Sequence, residues 1–137
     1  MARDSRCGRG SHFLEASMTA TPSRGEIWSC RLPGKADDPH QPRPAMVISA
    51  DVRNRLADDV IVIPIFSRGA FGPTHIPLAA GQGGIKKPSV LFCEEITTID
   101  RGFVVRGPWG DRVEDDVLRA AVRAVRRALG ETLPEPL

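Results

Sequence analysis

The hydrophobic and polar positions along the chain predict a domain made mainly of β-strands. Trp28, Cys30 and Leu32 recur at every second position, which predicts a strand with one face in the core. Residues 45–48 and 60–66 are continuous apolar runs rich in β-branched side chains, and such runs are typical of central strands buried on both faces. Shorter strands are predicted over residues 74–78, 89–93, 96–99 and 103–106.

Prolines and polar segments interrupt or separate these strands. Pro64 has no N–H to donate to a neighbouring strand, so we expect the second apolar run to end in a bulge or to become an edge there. The polar segment 33–42 is long for a hairpin loop, and we expect it to lie over a surface or to close one. Residues 1–23 lack periodicity and are predicted to form a flexible extension, in which Met18 is a candidate natural start.

One segment, near the end of the chain, has the apolar spacing of a helix. Gly130 follows it as a natural C-terminal stop, and acidic residues in its first turn and arginines further along complement the helix dipole. The arginine row is interpreted as a solvated face rather than a phosphate site. We expect no other helix, and therefore a small antiparallel sheet or barrel with one C-terminal helix, over residues 24–130, with a tail over 131–137. The apolar positions of the helix are Val117, Leu118, Ala121, Val122, Val125 and Leu129.

Composition and charge narrow the classes of protein to which the chain can belong. With 137 residues, 41% of them hydrophobic, it is long enough for one domain with a core. Its 19 basic and 17 acidic residues give a net charge of +2, so any basic patch that binds nucleic acid must be local. No apolar run has the length of a membrane span, and the N-terminus lacks the apolar segment of an export signal, so we expect a cytoplasmic protein.

The chain lacks the residue patterns of metal and nucleotide sites. Cys7, Cys30 and Cys93 are far apart without C-x-x-C spacing, which argues against a disulfide framework or a zinc site and fits a reducing cytosol. H-x-x-x-H, a glycine-rich phosphate loop and G-x-S-x-G are all absent from the sequence. Adjacent acids such as Glu94 and Glu95 point to opposite faces if they lie on a strand, so they seldom form an acid/base couple. We therefore expect neither a metal nor a cofactor.

Arg43 is the most informative single residue. It lies between Pro42 and Pro44, which restrict its backbone to extended conformations at the start of a buried strand. An arginine held in this way can present its planar fork to a phosphate and stabilise charge that grows there. The alternative is a surface arginine that pairs with Asp37 or Asp38, and the residues alone leave both interpretations open.

Other polar and aromatic residues give weaker indications. Ser67 and Arg68 follow the third strand, where a hydroxyl beside an arginine is common by chance. His75 has an ordinary pKa near 6.5 and could move protons, but a lone histidine on a half-buried strand is more often structural. Phe66 could stack on a base or close the core. The lysines at 86–87 are typical of a solvated turn.

Several short motifs follow one another along the chain. They are Arg24-Gly25-Glu26-Ile27-Trp28, Arg43-Pro44, Asp51-x-x-Asn54-Arg55, Val60-Ile61-Val62, Pro73-Thr74-His75-Ile76, Gly84-Ile85-Lys86-Lys87-Pro88-Ser89-Val90 and Glu94-Glu95-Ile96-Thr97-Thr98-Ile99-Asp100. In order and spacing they resemble the MazF/PemK toxins, the endoribonuclease half of type II toxin–antitoxin pairs. The resemblance extends over residues 24–130.

The resemblance implies a fold, a reaction and partners. The fold would be a compact SH3-like β-barrel of the CcdB/MazF type with a C-terminal helix, acting as a homodimer. The reaction would be cleavage of single-stranded RNA at short sequences without a metal, by attack of the 2′-hydroxyl on the adjacent phosphate, leaving a 2′,3′-cyclic phosphate and a 5′-hydroxyl. The groove that binds the RNA would also bind an acidic, disordered antitoxin tail that folds on binding.

The resemblance also implies roles for particular residues. Arg43 occupies the arginine position of the Arg-Pro motif and would be the main catalytic group. Phe66 stands where the family usually has a catalytic threonine, so Ser67 would supply the hydroxyl if the strand bulges near Pro64. The residues assigned to substrate binding are Arg68, Thr74, His75, Glu94 and Glu95.

Two alternatives remain open at this point. A CcdB-like toxin shares the barrel and acts by binding DNA gyrase without cutting RNA, and a fold does not fix a function. A catalytically weakened member of the family would act through antitoxin binding alone. The departure at Phe66 favours these alternatives, whereas the Arg43-Pro44 motif favours the nuclease.

Overall fold

Seven short strands form one antiparallel sheet in the computed structural model, which describes residues 21–34, 37–39 and 41–134. The predicted extension up to residue 20, with Cys7 and Met18, lies outside the described residues, as does the end of the predicted tail. The strands are β1 (Ile27–Cys30), β2 (Arg43–Val47), β3 (Asp59–Phe66), β4 (His75–Leu78), β5 (Ser89–Phe92), β6 (Thr97–Asp100) and β7 (Val104–Arg106).

The sheet has the strand order β4-β5-β3-β2-β1-β7, and β6 pairs with β3 beside this path. Within the described part of the chain, β4, β6 and β7 each pair with a single strand, so the sheet does not close into a complete barrel. The mainly β fold class with a C-terminal helix is confirmed. Full closure of the barrel, which the resemblance implied, is wrong for this sheet.

β3 is the central strand, and Pro64 lies within it rather than at its end. β3 pairs with β6 over residues 59–62 and with β5 at residues 65 and 66, while β2 pairs with it in an unbroken register that includes Ala45 opposite Pro64. The expected bulge or edge at Pro64 is therefore wrong. The proline is tolerated because it stands where β3 changes its neighbour on one side from β6 to β5, so its missing N–H interrupts neither ladder.

Both faces of the central strands are buried, as their continuous apolar runs predict. Alternate side chains enter two separate clusters, because successive residues of a strand point to opposite faces. One cluster lies between the sheet and the C-terminal helix and includes Ile27, Met46, Ile63, Ile65 and Leu91. The other lies in the opposite concavity of the sheet and includes Trp28, Cys30, Leu32, Ala45, Val47, Val60 and Val62.

A short helix that the sequence analysis did not predict, α1 (Asp51–Leu56), connects β2 to β3. Its apolar residues Val52 and Leu56 are 56% and 83% exposed, so they form no core-facing stripe. Asn54 is its one buried residue. The helix packs through this polar side chain, and the apolar spacing that reveals an amphipathic helix is therefore missing.

The predicted C-terminal helix is present as α2 (Asp115–Ala128). It contributes Leu118, Ala121 and Ala124 to the cluster against the sheet. Gly130 follows with φ of 103°, the left-handed conformation in which glycine commonly terminates helices. Leu129, expected on the apolar face, lies past the helix end and is 80% exposed.

The arginine row of α2 is largely paired within the chain. Arg119 pairs with Asp116, and Arg126 lies 2.6 Å from a carboxylate oxygen of Glu131. Arg123 donates to the backbone carbonyl of Pro134. These contacts agree with a solvated helix face. Among the helices that the structure describes, none has the length and apolar character to cross a bilayer.

Candidate active site

Arg43 begins β2, and its guanidinium is held by two neighbours. Its Nε atom lies 2.5 Å from Oδ2 of Asp38, in the loop between β1 and β2. Its Cζ atom lies 4.6 Å from the ring centre of Phe66, at the end of β3. The Arg43 side chain is only 19% exposed. The structure thus combines features of both interpretations of Arg43. It pairs with an acid of the loop, and it is also held at the edge of the strand.

A groove with a volume of about 970 Å³ opens beside Arg43. Four of its lining residues are cationic and none is acidic, while its floor is apolar and aromatic. Such a surface favours an anionic polymer that has flat bases to place on the apolar floor. The lining residues are Arg43, Pro44, Ile65, Phe66, Ser67, Arg68, Ile85, Lys86, Lys87, Ser89, Phe92 and Trp109.

An aromatic row extends from Arg43 across the sheet. The ring centres of Phe66 and Phe92 are 4.5 Å apart with their planes tilted by 55°. The His75 ring stacks on Phe92 at 4.0 Å and 16°. Gly69, in the turn after β3, lies against the same ring, and a Cβ atom there would come within 2.7 Å of Cε1 of Phe92. The turn that carries Ser67 and Arg68 is thus packed onto the row.

The far end of the row is a second ion pair. The Nε2 atom of His75 lies 2.8 Å from Oε2 of Glu94, and its Nδ1 atom lies 2.8 Å from the carbonyl oxygen of Ala70. Since both partners are acceptors, both ring nitrogens donate when the ring is protonated. The bond to Glu94 and then the bond to Ala70 raise the pKa of His75.

The pKa of Glu94 changes in the opposite direction. Desolvation alone would raise its pKa, but hydrogen bonds from His75, from its own backbone and from Thr74 outweigh that effect, and the pKa of Glu94 is lowered. The hydrogen bond between His75 and Glu94 thus favours the charged form of both groups. Because both ring nitrogens of His75 have partners, this geometry suits the orientation of Glu94 better than the exchange of protons with a substrate.

The structure places the predicted site residues in two connected groups. Arg43, Ser67 and Arg68 line the groove. Thr74, His75 and Glu94 form the hydrogen-bonded group at the other end of the aromatic row. Phe92 belongs to both, because it lines the groove and stacks on His75. Glu95 follows Glu94 and is half-buried.

Nine of the twelve lining residues were not assigned to the site from the sequence, among them two lysines and a tryptophan. Lys86 and Lys87 were interpreted as a solvated turn, but they line the groove together with Arg43. Trp109 lines the same groove, and its Nε1 atom lies 3.1 Å from Oγ of Ser29. Gly84 brings this lysine turn against Trp109, since a Cβ atom at Gly84 would clash with the Trp109 carbonyl oxygen.

Comparison with known proteins agrees with this architecture. The curated relative "Endoribonuclease EndoA" from Bacillus subtilis (strain 168) is 33% identical over 81 residues, which are 57% of this chain and 70% of the relative. A MazF structure (Form-I) from Deinococcus radiodurans has a TM-score of 0.68 at 20% identity, covering 82% of this chain and all of that one. An endoribonuclease in complex with its cognate antitoxin, from Mycobacterial species, has a TM-score of 0.63 at 22% identity, covering 82% and 99%.

The two structural similarities, both below 25% identity, show the fold, whereas the sequence matches show the family. The family model described as "PemK-like, MazF-like toxin of type II toxin-antitoxin system" matches residues 23–129. That range includes every residue of the groove and of the aromatic row. The chain belongs to the PemK-like, MazF-like toxins of type II toxin–antitoxin systems.

Proposed function

We propose that the protein is a sequence-specific endoribonuclease that cleaves single-stranded RNA and thereby inhibits translation and growth. The observation that carries the proposal is Arg43, fixed in the wall of a groove that has four cationic lining residues and no acidic one. An RNA strand supplies both a phosphate for the arginine and bases for the apolar floor.

The proposed reaction is an internal transfer at one phosphate. The 2′-oxygen loses its proton and bonds to phosphorus, the bond from phosphorus to the 5′-oxygen breaks, and that oxygen takes up a proton. The products are a 2′,3′-cyclic phosphate and a 5′-hydroxyl. Arg43 would stabilise the charge on the non-bridging oxygens of the pentavalent phosphate. Ser67 lines the same groove although β3 does not bulge at Pro64, because it directly follows the last residue of that strand, and it is the proposed hydroxyl donor to that phosphate.

The proposed reaction needs no metal ion, because the nucleophile belongs to the substrate and the arginine supplies the positive charge. Within the described residues, no group of three histidine, cysteine or acidic side chains is placed to hold a metal ion. Retained activity in the presence of a chelator is part of the proposal.

The remaining assigned residues would bind and read the RNA. Arg68 lies in the groove and would contact a phosphate. Glu94 and Glu95 can accept from the amino groups of cytosine or guanine, to which a carboxylate is suited. His75, whose two ring nitrogens bond Glu94 and the carbonyl of Ala70, would hold Glu94 in place for that contact. Thr74 supports this set through its hydrogen bond with Glu94.

The proposed partners follow from the same surface. A groove lined by cations over an apolar floor is complementary to an acidic antitoxin tail that orders on binding, so RNA and antitoxin would compete for it. The protein is proposed to act as a homodimer in the cytoplasm, where its RNA substrate and a reducing environment occur together.

The first experiment is cleavage of a long mixed-sequence RNA in excess EDTA, with the new 5′ ends mapped and their chemistry determined. The wild-type protein is expected to give discrete cuts with 5′-hydroxyl ends. Arg43→Ala is expected to lower the rate by about 10²-fold or more, because it removes the guanidinium proposed to stabilise the charge on the pentavalent phosphate. Arg55→Ala, which removes an exposed arginine of α1, serves as the matched control and should cleave normally.

Two outcomes would count against this assignment. A folded wild-type protein that cuts no RNA would favour the gyrase-binding toxin or the weakened, antitoxin-binding member of the family. Near-normal cleavage by Arg43→Ala would remove the catalytic role from Arg43. Ser67→Ala tests the proposed hydroxyl donor in the same assay, and an unchanged rate would mean that another residue supplies the hydroxyl.

A further inference from the structure

Phe66 lies directly against the guanidinium that the proposed reaction needs. The register that places Ala45 opposite Pro64 brings Arg43 opposite Phe66 when it is extended by two residues along both strands. The 4.6 Å separation between Cζ of Arg43 and the ring centre is within the range in which an aromatic face attracts a cation. The contact is thus built into the pairing of β2 with β3.

The Phe66 ring is itself held in place. Phe92 packs against it at 4.5 Å, and Phe92 is in turn stacked on His75. Hydrogen bonds to Glu94 and to the carbonyl of Ala70 fix the His75 ring from its other end. The ring that lies 4.6 Å from Cζ of Arg43 is therefore itself held by packing.

Asp38 restrains the guanidinium from a second direction. Its carboxylate bonds Nε, and among the described residues it is the one hydrogen-bond partner of this guanidinium. With Nε bonded to Asp38 and the Phe66 ring close to Cζ, the guanidinium is restrained from two directions. An arginine that keeps its orientation loses less conformational entropy when it binds a phosphate.

Phe66 has no polar side-chain atom, so it can neither move a proton nor donate to a phosphate. We propose that Phe66 is a positioning residue for Arg43, whose ring fixes the plane of the guanidinium for the scissile phosphate. The inference rests on the proposed catalytic role of Arg43. Phe66, which stands where the family usually has a catalytic threonine, then has a function of its own as a support for Arg43.

The test compares Phe66→Leu, which removes the aromatic face, with Phe66→Tyr, which keeps it. After thermal unfolding has shown that both variants fold, kcat and KM are measured on an RNA with a mapped cut site. Phe66→Leu is expected to lower kcat about tenfold with KM changed by less than about twofold, whereas Phe66→Tyr stays within about twofold of wild type in both.

Nuclear magnetic resonance gives a readout that does not depend on cleavage. The ring current of Phe66 should shift the Nε–H proton of Arg43 upfield in the wild-type protein and in Phe66→Tyr, and Phe66→Leu should lose that shift. If Phe66→Leu does not fold, Phe92→Leu, which removes the support behind the ring, replaces it in both measurements.

The outcomes separate this inference from the proposed function. An unchanged kcat in Phe66→Leu, an unshifted Arg43 resonance in the wild-type protein, or a Phe66→Thr variant more active than wild type would each overturn the positioning role. If the wild-type protein cleaves no RNA, the proposed function fails instead, and the Arg43 resonance alone then decides whether the ring orients the guanidinium.

Discussion

Individual side chains build the site from two ion pairs joined by aromatic rings. Asp38 with Arg43 and His75 with Glu94 stand at opposite ends of the row formed by Phe66 and Phe92. Phe66 lies against the Arg43 guanidinium and Phe92 stacks on the His75 ring, so each pair has an aromatic neighbour on one side. The Arg43–Asp38 pair is the more buried of the two, so water weakens its charge-assisted hydrogen bond less.

The His75–Glu94 pair predicts a pH dependence of stability. The raised pKa of His75 stabilises the fold fully below its ordinary value of 6.5, and this contribution is lost as pH rises through the raised value. The lowered pKa of Glu94 stabilises the fold above its ordinary value of 4.5, and this contribution is lost as pH falls through the lowered value.

The His75–Glu94 pair should therefore contribute most to the stability of the fold between the two ordinary pKa values, 4.5 and 6.5. Urea unfolding of the wild-type protein and of His75→Gln across this pH range is expected to show the largest difference in unfolding free energy between pH 4.5 and 6.5, and a smaller difference on either side. A difference that is constant with pH would show that the pair does not titrate as described. Glu94→Gln should reduce the same pH dependence.

At the scale of elements, a buried polar network attaches α1 to the sheet. The Asn54 amide and Ser49 exchange hydrogen bonds of 2.5 and 3.0 Å, and the Ser49 hydroxyl accepts from the backbone N–H of Ile61 at 3.0 Å. Arg101 bonds the backbone carbonyls of Asn54 and Ala57 at the other end of the helix. The turn from β2 into β3 is thus held by polar contacts, which also hold the register that places Arg43 beside Phe66.

Asn54→Ala should destabilise the fold through this network. The substitution leaves the buried Ser49 carbonyl without its amide partner, and an unpaired buried polar group costs about 1–3 kcal/mol. Urea unfolding measures the effect, with Arg55→Ala on the exposed side of the same helix as the control. A loss no larger than that of the control would show that the network contributes little to stability.

For the molecule as a whole, the net charge is small, although the groove is lined by cationic residues and by no acidic one. The chain carries only +2 overall, yet Arg43, Arg68, Lys86 and Lys87 converge on one surface. Acidic residues offset the basic ones elsewhere, for example on α2. RNA binding should therefore be local to the groove and sensitive to salt.

The salt dependence of binding gives the test at this scale. Affinity for a fully 2′-O-methylated RNA, which cannot react, is expected to fall with salt, with about 0.7 units of log–log slope for each phosphate neutralised. Lys86→Ala combined with Lys87→Ala should reduce the slope, measured by fluorescence anisotropy, while Arg55→Ala should leave it unchanged. An equal slope in the double variant would place the RNA away from the lysine turn.

Local patterns of apolar and polar residues were enough to predict several of the elements. Period-two alternation and β-branched runs predict β1 to β3 because a strand buries alternate or all of its side chains. Spacing of three and four residues predicts α2 in the same way. Arg43, between two prolines, is recognisable as a rigid arginine at a strand start because proline restricts the backbone locally.

Local patterns do not predict which side chains meet in the folded protein. Cross-strand pairing placed Phe66 under Arg43, and long-range packing brought Lys86 and Trp109 to the same groove. The sequence pattern did not predict α1, because this helix packs through Asn54 rather than through an apolar stripe. Contacts between residues far apart in the chain depend on register and on the choice of strand neighbours, and a local pattern contains neither.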